Sequence, residues 1–497
     1  MCRKRRDRTL SESKIYTPLD REVPRSTRFA FGLGQVAEGL KNFGFNLFVL
    51  FYYNSVLGLS GSLCGLAIAI ALVADGVSDP LMGSISDNHR SRWGRRHPFM
   101  VAAALPLSIT FFYLFAPPAA LGSTGLFLWL TGFSVATRLM MTVYHVPHIA
   151  LGAELTANFA ERTRIVATRQ IFGYIAAFAM AAIAFGYFFA DERGGRMNPD
   201  AYGPFAATMS VLMVSTILAS AWWTRDQIPF LPTSRSPALE GSILRRMAAE
   251  ARSAFSNPSF RKLFGGVLLI YVLVGTETAL ALYVYEFFWA LGSREILLLS
   301  MVYPAGLVVG AAFTTRLHAI WDKCPTLILG TIGWSACQIL PIVGRLVDVM
   351  PENGTETLVV FLVAARFLQG ALVQQGYASF SSMMGDIADE HELATGRRQE
   401  GIFFGVVSFS GKAASGLGSF IAGVALDVIS WPAGTGREGE AVSIPVETIH
   451  DLGIVYGPLL AVFAFLAPVA YRGYPLDRDR HRSVLAALAE PSAKPSD

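Results

Sequence analysis

The chain has 497 residues, of which 53% are hydrophobic and only 16% are charged. Soluble proteins carry about 25% charged residues, so this composition indicates an integral membrane protein. The formal net charge is only +4, and no stretch combines basic and aromatic residues on a polar face, which argues against a nucleic-acid partner. The four cysteines show no CxxC spacing, so they predict neither a zinc site nor a disulfide framework.

Twelve mostly apolar stretches are long enough to cross a bilayer, which takes about 20 residues for a helix. We therefore predict an all-α integral membrane protein with twelve transmembrane helices. In chain order the predicted spans are 29–57, 62–86, 98–117, 124–150, 166–190, 204–224, 262–291, 296–316, 325–348, 356–385, 401–430 and 452–471.

Basic residues are distributed unevenly among the predicted loops. Most of the 41 Lys and Arg residues fall in the two termini and in the even-numbered loops. The opposite loops carry only Arg193, Arg196, Arg294, Arg345 and Arg437. The positive-inside rule therefore predicts that both termini are cytoplasmic, and the expected location is a bacterial inner membrane.

The longest predicted cytoplasmic loop, 225–261, divides the spans into two groups of six. This division predicts two pseudo-symmetric halves, 29–224 and 262–472, that rock against each other around a central site. The remaining segments, 1–28 and 473–497, are predicted to be cytoplasmic tails.

Two acidic residues of the second predicted span, Asp75 and Asp79, lie four residues apart and share one helical face. An ionisable group near the bilayer centre costs about 2.5–3.5 kcal/mol, and two like charges also repel each other. Either one carboxyl is protonated or a cation lies between them, where Ser78 adds an oxygen ligand. The alternative is an acidic pair at the inner helix end that water solvates or a basic residue bridges.

Other ionisable residues also fall within predicted spans. Lys412 in span eleven is predicted to pair with Asp75 or Asp79 and to compete with the cation, which would make it a switch. The alternative for Lys412 is a static salt bridge. Glu38 and Lys41 share one face of span one, where they contact substrate or simply neutralise each other.

Two further residues are candidate substrate contacts. Glu277, in the middle of span seven, has no evident partner, so substrate binding and helix–helix bonding are both open. His145, near the end of span four, is predicted to form a hydrogen bond or sense protons, with an interhelical contact as the alternative. No third metal ligand lies near His145 and His148, so no metal site is predicted.

Several segments resemble one family of transporters. Residues 75–83 read Asp-x-x-x-Asp-Pro-x-x-Gly, and Asp87 is followed by the basic run 90–96, an arrangement similar to the loop motif of the major facilitator superfamily. Segments 146–164 and 386–401 carry further matching residues. Together these motifs resemble the glycoside–pentoside–hexuronide:cation symporter family, and the resemblance runs from about residue 28 to 472.

This resemblance implies the symport of a small organic solute, expected to be a sugar or glycoside, with Na⁺ or H⁺. It implies that Asp75, Asp79 and Thr142 bind the cation, together with Ser78, and that Lys412 links the ion and substrate sites. It also places Arg169 near the substrate. The predicted residues of a cytoplasmic gate are Asp87, Arg95, Arg162, Asp386 and Arg398.

The chain differs from the family at two positions where the sugar-binding members have a residue that contacts the sugar. Sugar-binding members have one Asp in span one and another in span four, whereas the aligned residues here are Gly39, beside Glu38, and His145. Two carboxylates that accept hydroxyl bonds are a strong sugar signature. A lysolipid or other amphiphile is therefore an alternative substrate, because the His145-Val-Pro step also resembles the sodium-dependent lysophosphatidylcholine carriers.

We expect no enzymatic activity, since the sequence presents neither a nucleophile–base pair nor a metal cluster. A non-transporting membrane sensor is a second alternative, but its signalling domain would not fit in the short predicted tails. The expected partners are a small-molecule substrate, a monovalent cation and the lipid bilayer. We expect a monomer that needs no cofactor beyond the coupling ion.

Overall fold

The computed structural model describes residues 22–231, 243–396, 399–434 and 444–489. These ranges are built from helices and contain no β-strand. Ten helices within them are long and apolar enough to cross a membrane. The prediction of an all-helical membrane protein is confirmed at this level.

The helices fall into two groups along the chain, separated by a shorter helix. The first group comprises α1 (Arg25–Phe51), α2 (Gly61–Asn88), α3 (His97–Leu114), α4 (Ser123–Glu154), α5 (Phe159–Ile183) and α6 (Tyr202–Thr224). A shorter helix, α7 (Ile243–Ser256), follows. The second group comprises α8 (Pro258–Tyr283), α9 (Ser293–Trp321), α10 (Lys323–Leu346), α11 (Glu356–Thr395), α12 (Glu400–Val428), α13 (Val446–Ile454), α14 (Leu460–Tyr471) and α15 (Arg478–Ala489).

Helices α1 and α12 are not among the ten apolar helices, although the sequence predicts a span for each. Both carry charged residues in their middle, Glu38 and Lys41 in α1 and Lys412 in α12. Gly and Ser residues of α12 lower its apolar character further. The charges and small polar residues of α1 and α12 therefore make these two helices less apolar than the ten.

The two groups of helices meet closely along α2 and α12. A Cβ atom on Gly423 would overlap the backbone of Gly61, and one on Gly418 would overlap the carbonyl oxygen of Val272 in α8. Small residues of this kind let membrane helices approach until their backbones touch. As a result, α12 lies against both α2 and α8, and Lys412 faces the acidic residues of α2.

Aromatic residues close one end of the molecule, which we call the outer end following the predicted orientation. Each of α1, α5 and α8 ends there in a π-helical turn, Tyr52–Val56, Ala184–Phe188 and Val284–Phe288. Phe51 stacks edge-on against Tyr283, with ring centroids 5.1 Å apart. The hydroxyl of Tyr283 donates to Asn54 Oδ1 at 2.9 Å. These contacts join the two groups of helices at the outer end.

Candidate functional site

A cavity of about 490 Å³ lies between α1, α2, α4, α8 and α12. Most of its charged side chains come from the first group of helices, whereas α12 contributes Lys412. The polar lining residues include Glu38, Lys41, Asn42, Asn46, Asp75, Asp79, Arg138, Thr142, His145 and Lys412. This concentration of charge inside an apolar bundle makes the cavity the candidate functional site.

Asp75 is the more deeply buried of the two acidic residues, with 7% of its surface exposed. Its carboxylate accepts hydrogen bonds from Arg138 Nη1 at 3.2 Å and from the Thr142 hydroxyl at 3.0 Å. Lys412 Nζ lies 3.1 Å from Asp75 Oδ2. Three donors from two other helices, α4 and α12, therefore surround this carboxylate.

Asp79 faces two of these donors, Thr142 and Lys412, from one helical turn further along α2. Lys412 Nζ lies 2.5 Å from Asp79 Oδ2, and Thr142 Oγ1 lies 3.0 Å from Asp79 Oδ1. Ser78 Oγ lies 3.0 Å from Thr142 Oγ1. The hydroxyl of Thr142 has a single proton, so it can donate to only one of the two carboxylates at a time.

The predicted pairing of Lys412 with the two acidic residues is present, and the ammonium group bridges them. Arg138 is not among the predicted site residues, yet it neutralises Asp75 directly. A local pattern could have revealed it, because Arg138 precedes Thr142 by four residues and therefore lies on the same face of α4. With Arg138 included, two carboxylates face two basic groups, and the cluster is formally neutral.

Glu38 and Lys41 both line the cavity, but they do not form the ion pair that was one of their predicted roles. The carboxylate of Glu38 accepts hydrogen bonds from the side-chain amides of Asn42, at 2.6 Å, and Gln35. Lys41 is 4% exposed and forms no ion pair within 4.0 Å with any residue in the described ranges. Its ammonium group is thus a buried positive charge at the cavity wall.

His145 lines the cavity, and its Nε2 atom is buried without a hydrogen-bond partner among the described residues. His148 instead packs away from the cavity, with Nε2 2.9 Å from the carbonyl oxygen of Phe31. Within the ranges that the structure describes, no group of His, Cys, Asp and Glu is arranged to hold a metal ion. Arg169 is not a lining residue, and its Nε atom is also buried without a described partner.

Glu277 is not a lining residue of the cavity either. Its carboxylate lies 3.4 Å from Arg366 Nη1 and 3.3 Å from the hydroxyl of Tyr456. Arg366 in turn donates to Gln369 at 2.6 Å, and Gln369 donates to Gln338 at 3.2 Å. Of the two predicted roles of Glu277, the structure displays the contact between helices and not a place at the cavity.

The predicted gate residues of the first group form their bonds within that group, at the inner end. Asp87 pairs with Arg96, whose guanidinium also lies 2.6 Å from Glu154 Oε1. Arg95 pairs with Glu154 at 2.8 Å and not with Asp87. Arg162 donates to the carbonyl oxygen of Ala153 at 3.2 Å. All of these partners belong to α2, α4, α5 or the connection before α3.

The gate residues of the second group behave in the same way. Asp386 of α11 pairs with Lys323 of α10 at 2.6 Å and lies 3.5 Å from His481 of α15. Arg398 lies outside the described residues. Among the predicted gate residues that the structure describes, none forms an ion pair between the two groups of helices. The gate residues that the structure describes therefore form no bond across the inner mouth in this conformation.

Polar contacts between the groups occur at the outer end, where the sequence predicted none. Arg196, which is buried, pairs with Glu286 and donates to Ser293 Oγ at 2.7 Å. Asp427 of α12 accepts from the backbone amides of Gly61 and Ser62, at 2.7 and 2.8 Å, at the first turn of α2. One clue to Arg196 was available, since it is one of few basic residues in the predicted outer loops.

A smaller apolar cavity of about 90 Å³ adjoins the charged one. Tyr271 and Val274 of α8 line both cavities. The far side of the smaller cavity is formed by Trp334, Tyr377 and Phe380 from α10 and α11. The charged cavity therefore has an apolar annex inside the second group of helices.

Comparison with known proteins places the chain among transporters. The family model for MFS/sugar transport proteins matches residues 30–478. The inner membrane symporter YicJ of Escherichia coli is 24% identical over 93% of this chain and 94% of its own length. The isoprimeverose transporter of Lactiplantibacillus pentosus is 23% identical, over 85% of this chain and 84% of its own length.

Two further proteins are similar over nearly the whole chain. The sodium-dependent lysophosphatidylcholine symporter 1 of Mus musculus is 24% identical over 93% of this chain and 87% of its own length. The crystal structure of a mutant of the nucleoside transporter NupG superposes with a TM-score of 0.60 at 13% identity, covering 91% of this chain and 99% of NupG. At that identity the superposition establishes the fold alone. The chain belongs to the MFS/sugar transport protein family of membrane transporters.

Proposed function

We propose that this protein is a cation-coupled symporter for a small sugar or glycoside. It works by alternating access between two six-helix halves, 29–224 and 262–472, with both termini in the cytoplasm. The observation that carries the proposal is the bridge from Lys412 of α12 to Asp75 and Asp79 of α2, because it joins the two halves at the wall of the central cavity.

Charge neutrality explains how such a bridge couples an ion to a conformational change. Three carboxylates (Glu38, Asp75 and Asp79) and three basic groups (Lys41, Arg138 and Lys412) line the cavity, and their formal charges add up to zero. A monovalent cation bound between Asp75 and Asp79 would leave one uncompensated positive charge, which is costly in a low-dielectric interior. Lys412 therefore moves away when the cation binds, and α12 is released from α2.

The cation site is built from oxygen atoms. The carboxylates of Asp75 and Asp79 and the hydroxyls of Ser78 and Thr142 are hard ligands that suit Na⁺. A proton can neutralise the same two carboxylates, so both ions fit the chemistry of the site. The transport experiment described below distinguishes Na⁺ from H⁺ as the coupling ion.

The pattern of contacts between the halves supports a cytoplasm-facing conformation. Arg196–Glu286 and the bonds of Asp427 to α2 close the outer end. At the inner end, the described gate residues bond within their own halves. The transport cycle then requires the outer contacts to break and inner ones to form in their place.

The size and polarity of the cavity support a sugar or glycoside as the substrate. A volume of about 490 Å³ falls within the roughly 300–1,000 Å³ typical of small-molecule sites. The amides of Asn42 and Asn46 are suitable partners for hydroxyl groups, and so is the ammonium group of Lys41, which forms no ion pair with the described residues. The similarity to the isoprimeverose transporter points to the same class of substrate.

A lysolipid or other amphiphile is the second candidate, and the apolar annex is the observation that favours it. The annex measures about 90 Å³, whereas a cavity that holds benzene measures about 150 Å³. It therefore has room for a compact apolar group and not for an acyl chain. For this reason a sugar or glycoside remains the first proposal.

Uptake by the purified protein in liposomes tests both parts of the proposal. Radiolabelled glycosides and lysophosphatidylcholine are offered under an inward Na⁺ gradient, an inward proton gradient, or neither. We expect at least one glycoside to accumulate above its external concentration with one gradient and not without it. Equilibration without accumulation under either gradient contradicts symport, and accumulation of lysophosphatidylcholine alone favours the second candidate.

A further inference from the structure

A separate cavity of about 1,170 Å³ lies where α6 ends and α3 begins. We call it the α3–α6 groove. It does not share a lining residue with the central cavity, and the transport mechanism does not use it. Its lining residues are Arg92, Trp93, His97, Val101, Leu218, Ala219, Ala221, Trp222, Trp223, Arg225, Asp226, Ile228 and Pro229.

Three tryptophans line the groove and are strongly exposed. Trp93, Trp222 and Trp223 have 54%, 61% and 56% of their surface accessible. Tryptophan is enriched where membrane proteins meet the headgroup region, because its ring is apolar and its indole N–H is polar. The groove therefore opens at the boundary between the acyl chains and the headgroups.

The polar side of the groove is positively charged overall. Arg92 and Arg225 contribute two guanidinium groups, and the single carboxylate is that of Asp226, 3.8 Å from Arg225. The guanidinium of Arg225 also lies 3.3 Å from the centroid of the Trp222 ring. Basic groups beside an interfacial groove attract the phosphate of an anionic lipid.

His97 lines the groove and carries a buried polar atom that has no partner among the described residues. The hydroxyl of Thr224 donates to the carbonyl oxygen of Ser220 at 2.7 Å, so it accepts from His97 Nε2, 3.0 Å away. The other ring nitrogen, Nδ1, is then an acceptor, and it is buried with no hydrogen bond to the described residues. Nδ1 is also closed to solvent, so His97 forms part of the groove wall and offers no hydrogen bond to a ligand.

Exposed apolar residues continue from the groove along the same two helices. Leu105 follows Val101 by four residues on α3 and is 61% exposed. Val211 lies two turns before Leu218 on α6, and these residues are 65% and 40% exposed. Residues with these spacings share a helical face, so an apolar track runs from the groove towards the middle of the membrane.

We propose that the α3–α6 groove is a binding site for an anionic phospholipid in the cytoplasmic leaflet, and phosphatidylglycerol is the lipid used to probe it. The phosphate faces Arg92 and Arg225, the three tryptophans lie at the headgroup level, and an acyl chain follows Val101 and Leu218. The assignment to the cytoplasmic leaflet rests on the orientation given under the proposed function. Binding itself does not depend on transport.

Fluorescence quenching by brominated lipids tests the proposal on the full-length protein in nanodiscs. Brominated phosphatidylglycerol is titrated against brominated phosphatidylcholine with the same acyl chains, with no substrate and no ion gradient. We expect the fraction of brominated phosphatidylglycerol that quenches half of the tryptophan emission to be roughly tenfold lower than the corresponding fraction of brominated phosphatidylcholine. Equal quenching by the two lipids would overturn the proposal.

Variants locate the site. The tryptophan emission of the double variant R92Q/R225Q should be quenched equally by both lipids. The variant R92K/R225K keeps both charges and should retain most of the preference for phosphatidylglycerol. Arg316→Gln, which removes an exposed positive charge at the inner end of α9, is the matched control and should behave like the unaltered protein. A preference that survives in R92Q/R225Q places the lipid elsewhere and refutes the site.

A competition experiment with a soluble anion distinguishes binding of a lipid headgroup from binding of free phosphate. Millimolar inorganic phosphate should leave the quenching by phosphatidylglycerol unchanged, because it lacks the contacts of the acyl chain. Full competition by phosphate would mean that the groove binds soluble anions and not lipid. Thermal unfolding of each variant in phosphatidylcholine confirms folding, and the result stands whether or not ion-driven uptake is found.

Discussion

Two networks of buried charge lie among the helices, and they use the same kinds of side chain for different ends. The network at Asp75 and Asp79 borders the central cavity and joins α2, α4 and α12. The network at Glu277 lies away from that cavity and joins α8, α11 and the π-helical turn that contains Tyr456. The first network contains two acidic residues, whereas the network at Glu277 contains one.

The two networks differ in the number of oppositely charged partners within reach of each charged side chain. Lys412 reaches two carboxylates, and Asp75 has both Lys412 and Arg138, so a charge that leaves can be replaced. Glu277 has Arg366 as its ionic partner, and the remaining donors and acceptors of that network are neutral. We infer that the first network exchanges partners during transport while the second holds helices together.

Asp75→Asn is the change with the largest expected effect. It removes the carboxylate that Arg138, Thr142 and Lys412 share, so the cation site loses half of its charge. Gradient-driven accumulation in liposomes should be abolished, while downhill exchange of substrate remains measurable. The matched control is Asp451→Asn, which changes an exposed carboxylate. Full accumulation by Asp75→Asn would remove Asp75 from the cation site.

Lys412→Ala should uncouple the ion from the substrate. Coupling free energies of about 1–3 kcal/mol correspond to 5–150-fold changes in affinity. In Lys412→Ala we expect the ratio of substrate affinities with and without the ion to fall to nearly one. Titration calorimetry with and without the coupling ion measures it. Lys262→Ala is the control, since Lys262 donates to the carbonyl oxygen of Arg472 at the surface. An unchanged ion dependence would make the Lys412 bridge a static contact.

Glu277→Gln should separate stability from coupling. It leaves Arg366 with a neutral partner, and hydrogen bonds to charged groups contribute about 1.5–3 kcal/mol. We expect a lower unfolding temperature but less than about a twofold change in the ion dependence of substrate affinity. A loss of coupling as large as that of Lys412→Ala would show that both networks take part in transport.

Gln369→Ala has the smallest expected effect. It removes the hydrogen bonds of one amide to Arg366 and Gln338, and such bonds between membrane helices average about 0.6 kcal/mol. Thermal unfolding should detect the loss, while uptake stays within experimental error of the unaltered protein. A defect in uptake would indicate that the Glu277 network bears on the cavity after all.

The sequence was sufficient to predict the Lys412 bridge, and for a simple reason. A lysine buried among helices needs a carboxylate, and Asp75 and Asp79 are the most conspicuous acidic residues within a span. Arg138 could have been added from its spacing to Thr142. The all-helical architecture followed from the apolar stretches, and these included the stretches of α1 and α12, although the charges of these two helices lower their apolar character.

Other contacts could not be predicted, because their partners are far apart in the chain. Glu277 and Arg366 are 89 residues apart, and Arg196 and Glu286 are 90 residues apart, with no local pattern to pair them. For Glu38, several partners were within reach on one helical face. The side-chain amides of Gln35 and Asn42 take its oxygens, and Lys41 is left unpaired among the described residues. Competition of this kind depends on side-chain geometry that a sequence does not reveal.

The carboxylate of Asp427, which accepts from the first amides of α2, gives the protein a built-in reporter. Those two N–H groups belong to Gly61 and Ser62, and they are hydrogen-bonded to Asp427 while α12 lies over the start of α2. In the proposed cycle, opening of the outer end breaks both hydrogen bonds, so both amide protons should then exchange faster. Deuterium exchange at these two positions would therefore report, without a ligand or an attached probe, how often the outer end opens.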